Sequence, residues 1–223
     1  MRTLATLLAL AAPAILSAAG YKANARLDDA AAVFSDIMAT PDKAIPRDLL
    51  EKSRCIVIVP SLKKGAFVVG AEYGKGFISC READGRWSAP GAIKMEGGSF
   101  GFQIGGSDTD VVLLVMNNRG AEHLLGNQFT LGAEGEVAAG PVGRDASAAT
   151  NASMNAEILS WSRTRGIFAG ISLKGATIRQ DLDANAEIYG RKIDNHEIVR
   201  SNMAPSASAA RLLEMLNRYP QHV

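Results

Sequence analysis

Residues 87–110 read WSAPGAIKMEGGSFGFQIGGSDTD, and VVLLVM follows at once at 111–116. Strand-like segments punctuated by glycine predict sheet, and the run at 111–116, apolar at every position, predicts a central strand buried on both faces. A second block, FTLGAEGEVAAGPVGRD at 129–145, repeats the character. Its glycines at 132, 135, 140 and 143 fall where backbone turns or approaches other backbone closely. Neither block carries a constellation with chemistry, so both read as framework rather than active site.

Outward from these blocks, glycine divides the chain. None occurs between Tyr21 and Lys64, seventeen fall from Gly65 to Gly143, and after Gly175 there is only Gly190. Helices flanking a glycine-rich β core follow from that distribution. On the N-terminal side Leu27, Ala31, Phe34 and Met38 recur at helical spacing, with Ala30 and Ile37 beside them and Lys22, Arg26, Asp28, Asp29 and Asp36 opposite. This is an amphipathic helix ending before Pro41. Pro46 suits the first turn of a short helix through Leu49 and Leu50. Strands are expected at 55–59, stopped by Pro60, then at 66–73 and 77–81, with Asp84-Gly85 turning a hairpin. More are expected at 92–95, 99–104 and 111–116, and after a helix at 119–126 at 129–131, 136–138, 158–162, 167–173 and 177–179. Past Pro205, Ala209, Leu212, Leu213 and Leu216 line one face of a C-terminal helix. The fold class is therefore α+β: a single domain with a glycine-rich, mainly antiparallel β core, sandwich or barrel-like, flanked by N- and C-terminal amphipathic helices. A chain of 223 residues with 47% hydrophobic content suits one such domain.

Residues 1–19 have the form of a removable secretory signal: Arg2, an apolar stretch from Leu4 to Leu16, then small residues at Ser17 and Ala19. A retained membrane anchor is the competing reading. Residues 20–223 are then the folded domain, with 23 basic and 23 acidic side chains. That balance, with no basic run longer than Lys63-Lys64, argues against nucleic acid as a partner. Cys55 and Cys80 are the only cysteines. After export an even pair favours a disulfide; two small buried thiols are the alternative.

Several strings imitate catalytic or ligand motifs. GGSFG at 97–101 fits G-x-S-x-G, and Asp108 or Asp110 and His123 follow in the order of a serine hydrolase. A nucleophile elbow needs a helix straight after the serine, whereas residues 100–104 are strand-like, so Ser99 reads better as part of a glycine-rich strand. GAEYGK at 70–75 has three residues between its glycines where a phosphate loop needs four. Asp181, Asp183 and Asn185 resemble the start of a calcium loop, but Ala186 stands where glycine is required and Lys192 where the glutamate belongs, which leaves a capped helix start. The histidines His123, His196 and His222 have no metal-site spacing. No cofactor is implied.

A set of ordered strings resembles a known family, the SYLF domain: KKGAF at 63–67, YGKG at 73–76, WSAP at 87–90, GGSFGFQIG at 97–105, Thr109-Asp110, FTLG at 129–132, AAGPVG at 138–143, GIFAG at 166–170 and ANA at 184–186. The resemblance runs from about residue 44 to 191. It implies a noncatalytic module that binds membrane lipid, with phosphoinositides favoured by eukaryotic members and actin bound by some fungal ones. Cys55 and Cys80 resemble the cysteine pair of many bacterial members. The leader and the lack of an SH3-like or zinc-finger segment in these residues make actin and phosphoinositides poor partners for an exported chain.

The expectation is a periplasmic or secreted protein, peripheral at the membrane, that binds anionic phospholipid. The expected lipid-binding residues are Lys22, Arg26, Lys43, Arg47, Lys52, Arg54, Lys63 and Lys64, each able to make a charge-assisted phosphate contact. Asp28, Asp29, Asp42, Asp48 and Glu51 interleave with them, so a solvated face of mixed charge competes. The helix from Lys22 to Met38 either lies in a membrane interface with its apolar face down or packs Leu27, Phe34 and Met38 on the sheet. A structural or protein-interaction module, favoured by dispersed basic residues, and a hydrolase centred on Ser99 are the other readings.

Overall fold

The structure is a computed structural model that describes residues 14–40, 43–66, 69–100, 105–141, 156–164, 167–168 and 173–219. Helices α1 (Ala14–Met38) and α2 (Arg47–Lys52) precede strands β1 (Cys55–Ala66), β2 (Val69–Cys80), β3 (Gly91–Phe100) and β4 (Gly105–Val115). Then come α3 (Asn118–Leu125), β5 (Gln128–Thr130), β6 (Val137–Ala139), β7 (Ile158–Thr164), β8 (Ile167–Phe168) and β9 (Thr177–Gln180), followed by α4 (Leu182–Tyr189), α5 (Asn195–Arg200) and α6 (Ala210–Asn217). The expected leader falls on residues 1–13, outside the described ones, and on the first turns of α1.

The nine strands form one sheet in the order β5-β9-β3-β2-β1-β4-β7-β6, with β8 against β7. Every pairing is antiparallel except β6 with β7. The α+β class expected from the glycine distribution is the one found. The sheet curls because its two edges are tied together. Laid flat, eight strands would put β5 and β6 about 33 Å apart, yet the chain from Thr130 to Val137 reaches at most about 25 Å. At Gly135 the edges meet: a Cβ there would lie 2.7 Å from Phe129 Cζ of β5 and 2.6 Å from Glu157 Oε2 at the entrance to β7.

The curl separates two cores that share their strands. Val57, Val59, Val111, Leu113 and Val115 face inward with Ile78, Ile93 and Phe129. Ile56, Ile58, Val112 and Leu114 face outward beneath the helices. The run at 111–116 is thus apolar on both faces for the expected reason. The α1 residues Leu27, Ala30, Phe34 and Ile37 are buried against this outer face together with Leu212 and Leu216 of α6. Burial here takes α1's apolar face away from any membrane interface.

Glycine misleads about strand ends. Residues 66–73 and 77–81 were expected as two strands, but β2 is continuous, and β3 likewise runs on through Gly97 and Gly98. Gly74 and Gly76 mark close approach rather than turns. A Cβ on Gly76 would sit 2.1 Å from the Ile58 carbonyl oxygen, and one on Gly74 2.7 Å from Val59 Cγ1. β1 also continues past Pro60, where it carries one residue more than both neighbours. Its register steps from Val59↔Val111 to Leu62↔Thr109, and from Ile58↔Phe77 to Lys63↔Tyr73. A bulge is where a strand tolerates proline, because no ladder N–H is needed. The short helix α5 was not expected, and the later part of the strand expected at 167–173 lies outside the described residues. The Asp84-Gly85 hairpin forms, with Gly85 at φ 80°.

At the opposite end of β2, Arg81 is buried, lies 3.9 Å over the Trp87 ring, and donates to the carbonyls of Gly85, Leu50 and Tyr219. Burial pulls its pKa down to about 10 against the opposing charge of Glu51. Next to it Cys55 and Cys80 stand opposite one another across β1–β2 and form a disulfide.

Two stability outcomes follow. Replacing both cysteines by serine should lower the unfolding free energy by about 3 kcal/mol, the order expected for a cross-link of this loop length. Urea melts of the wild type with and without reductant should show the same drop, and coincident midpoints would contradict it. Gly76→Ala should cost about 2–3 kcal/mol, because backbone rather than a flexible side chain occupies the space.

Candidate functional site

The β1 bulge and α1 together shape an open groove of about 420 Å³ on the helix-bearing side of the sheet. α1 contributes Ala25, Arg26 and Asp29, β1 contributes Pro60, Ser61 and Lys63, and β2 contributes Tyr73, Gly74 and Lys75. Tyr73 is 45% exposed, the larger of two such apolar exposures among the described residues. Arg26 makes no ion pair with any described residue. Lys63 lies 3.2 Å from Asp108, both largely exposed, a pairing worth little in water.

Lys75 is held differently. Its Nζ is 2.8 Å from Asp181 Oδ2, while Lys94, its partner across β2–β3, is 3.3 Å from Oδ1. Asp181 is fully buried and caps α4, accepting from the Ala184 amide, as the capped-start reading required. Burial pushes the Asp181 pKa upward. The Lys75 and Ala184 hydrogen bonds and the charges of Lys75 and Lys94 outweigh that and hold it below the ordinary carboxylate range. α4 is seated by two buried asparagines: Asn185 Oδ1 accepts from Ala92 N, Asn195 Nδ2 donates to Ala92 O, and Asn185 Nδ2 donates to Asn195 Oδ1.

A third arrangement joins the walls. Arg163 of β7 donates to Asp110 Oδ2 through Nη2 at 2.9 Å and Nε at 3.3 Å, and to Asp36 of α1 through Nη1 at 3.1 Å. Burial disfavours the Arg163 charge, but the bonds and charges of Asp110 and Asp36 outweigh it and raise the pKa. Asp110 Oδ1 accepts from the Ser61 amide at 3.1 Å.

The expected basic residues do not form one patch. Arg26 and Lys63 share the groove. Lys64 points to the other face of the sheet and pairs with buried Glu72 at 2.7 Å. Arg47 stacks on Tyr219 at 5.5 Å and Lys52 lies 3.9 Å from Asp48, both on α2, while Arg54 immediately precedes β1 at the far end. Lys43 is exposed in the turn before α2, and Lys22 lies in α1 with its side chain outside the described ones. Tyr73, Lys75, Asp110 and Arg163 were missed. The strings YGKG and Thr109-Asp110 contain three of them, and an aspartate inside an otherwise β-forming run was the available signal.

Ser99 does not meet His123. Ser99, its side chain outside the described ones, pairs with Gly70 in β3, and Gly70 pairs with Ala66 at one end of β1. His123 is on α3, beyond Val115, which pairs with Cys55 at the other end. Ten residues of β1 lie between those rows, about 30 Å or more. Among the described residues no group of three or more His, Cys, Asp or Glu is placed to hold a metal ion, and no helix is long and apolar enough to cross a membrane.

A family model described as "Ysc84: Las17-binding protein actin regulator" matches residues 96–219. The chain belongs to the Ysc84 family, whose module is the SYLF domain. Among Ysc84 relatives, SH3 domain-containing YSC84-like protein 1 of Rattus norvegicus is 34% identical over 182 residues, covering 81% of this chain and 53% of the rat protein. The human protein of that name is 33% identical over the same length. LAS seventeen-binding protein 3 of Saccharomyces cerevisiae is 35% identical over 179 residues, 78% of this chain and 39% of the yeast protein. The chain thus spans about half the length, or less, of these relatives. The Ysc84 model covers Asp110, Arg163, Asp181 and Asn185, and begins after the residues that line the groove.

The Asp181 cluster gives a pH dependence. Its folded pKa is depressed, so its stabilising charge is fully present above the ordinary carboxylate range and is lost as pH falls through the folded value. Urea melts from pH 6 to 2 should show Asp181→Asn, which keeps a capping oxygen, less stable than wild type at pH 6 with the gap closing toward pH 2. A gap independent of pH would contradict it.

Proposed function

We propose that this Ysc84-family chain is a noncatalytic, peripheral binder of anionic phospholipid at the envelope of a bacterium. The observation that carries the reading is the groove, where Arg26, with no ion pair to any described residue, and a weakly paired Lys63 lie beside exposed Tyr73 and the apolar surface of Ala25 and Pro60. A phosphate takes the cations, and glycerol and upper acyl carbons take the tyrosine and the apolar surface. Contact is made by this groove with α1 in place. The expected export route puts the protein in the periplasm or outside the cell. On this reading actin regulation and Las17 binding, named for the family and the yeast relative, do not carry over to an exported chain. Nothing in the groove asks for a cofactor.

The dispersal of the other expected basic residues and the relatives' names favour a second reading, a structural or protein-interaction module. The two separate in one experiment. Protein purified from the exported fraction, its N terminus read by mass spectrometry, is cosedimented with neutral and anionic vesicles across a salt series. Binding should be confined to anionic vesicles and weaken with salt. Arg26→Gln with Lys63→Gln should lower it about thirtyfold, at roughly 1 kcal/mol per basic residue near a charged surface, whereas Arg47→Gln with Arg54→Gln should change it little. Absence of binding to either vesicle would refute the lipid reading and turn the search to protein partners.

A further inference from the structure

We infer that Asp110 is the positioning residue of the groove, fixing both its floor and its helical wall from one side chain. The inference rests on the lipid reading only for its consequence in affinity. Its structural half stands on geometry.

Among the described residues other than glycine, Ser61 and Asn202 alone have positive φ, and Ser61, at 51°, sits in the middle of a strand. A left-handed serine inside a sheet persists only where its surroundings hold it. What holds it is Asp110 Oδ1, which accepts the Ser61 amide that the bulge removes from the ladder. The same carboxylate's other oxygen takes two donors from Arg163, and the remaining arm of Arg163 reaches Asp36 on α1. Asp110 and Arg163 are 19% and 18% exposed, whereas Asp36 is 59% exposed. The chain of bonds therefore runs from a sheltered centre on β4 and β7 outward to β1 and α1, two of the three elements that line the groove.

The consequence is geometric. The bulge inserts one residue before Lys63, so a strand without it would turn every later side chain to the opposite face. With it, Lys63 faces the groove and Lys64 faces Glu72. Asp110 acts on the ligand through Lys63 and α1 rather than by contact, since it does not line the groove itself.

Hydrogen exchange on the full chain tests the structural half without lipid. Asp110→Ala should speed exchange at the Ser61 amide and along the Asp29–Asp36 part of α1 at least tenfold, while the β4–β7 ladder stays protected. Asp110→Asn, which keeps an acceptor for Ser61 but loses the charge facing Arg163, should leave Ser61 protected and loosen α1 alone. If Asp110→Ala fails to fold, the asparagine variant carries the test. Unchanged exchange at both segments in either variant would overturn the proposal.

Affinity for anionic phosphatidylglycerol vesicles is the second readout, taken well below the melting temperature. Asp110→Ala should lose at least tenfold, and adding Ser61→Gly, which tolerates the left-handed conformation without help, should restore most of it. Faster exchange with wild-type affinity would overturn the positioning role. A wild type that ignores the vesicles would sink the lipid reading, and exchange alone would then decide whether Asp110 shapes the groove.

Discussion

The extra residue in β1 at Pro60–Ser61 is the constraint on which much else rests. β1 is flanked by β2 and β4 and buried on both faces, so a bulge there is felt by both neighbouring strands and by the helix above. On one side, β2 meets it with glycine at 74 and 76, since a Cβ at either position would collide with β1. On the other, β4 supplies the carboxylate that satisfies the amide the bulge frees. Above it, the displaced backbone leaves the groove beside α1. A buried N–H without a partner is costly, so the bulge and Asp110 belong together.

The second constraint is closure. Because residues 131–136 link the two edges of the sheet, the strands must wrap around Val57, Leu113, Ile78 and Phe129, and the outer face must be covered by something else. α1 and α6 cover it, and Arg81 fastens that cover from below by bonding a carbonyl on each of α2, the 82–86 hairpin and the segment after α6. Each central strand contributes to both cores, so neither core forms without the other.

Patterns set by local chemistry were legible in the sequence. The alternation that puts Val111, Leu113 and Val115 inside and Val112 and Leu114 outside is visible as an unbroken apolar run. The Asp181 cap and the Gly85 turn are short-range and were read from residue type. The cysteine pair pointed to a disulfide through compartment. Strand ends were not legible, because glycine serves turns and close approach equally and only the neighbouring strand decides which. Gly76 was read as a break when it is a space reserved for the Ile58 carbonyl. The site was legible only in part, because its pairings are remote: Asp110 and Arg163 are 53 residues apart and Arg163 and Asp36 are 127 apart. The eight basic residues looked like a cluster in sequence, yet strand alternation alone sends Lys63 and Lys64 to opposite faces.

The charges around the groove divide by burial, and this distinguishes the cations that build it from those open to a ligand. Lys75 and Lys94 converge on a carboxylate with no exposed surface; removing that carboxylate would leave two cations facing one another across β2–β3, so their charge is committed to seating α4. Arg163 is committed likewise, between Asp110 and Asp36. Among the described residues Arg26 has no such partner, and Lys63 has an exposed one that water screens. A ligand anion entering the groove therefore competes with solvent rather than with a buried ion pair at these two positions. That asymmetry separates the cations that hold the helix in place from the two that face solvent in the groove.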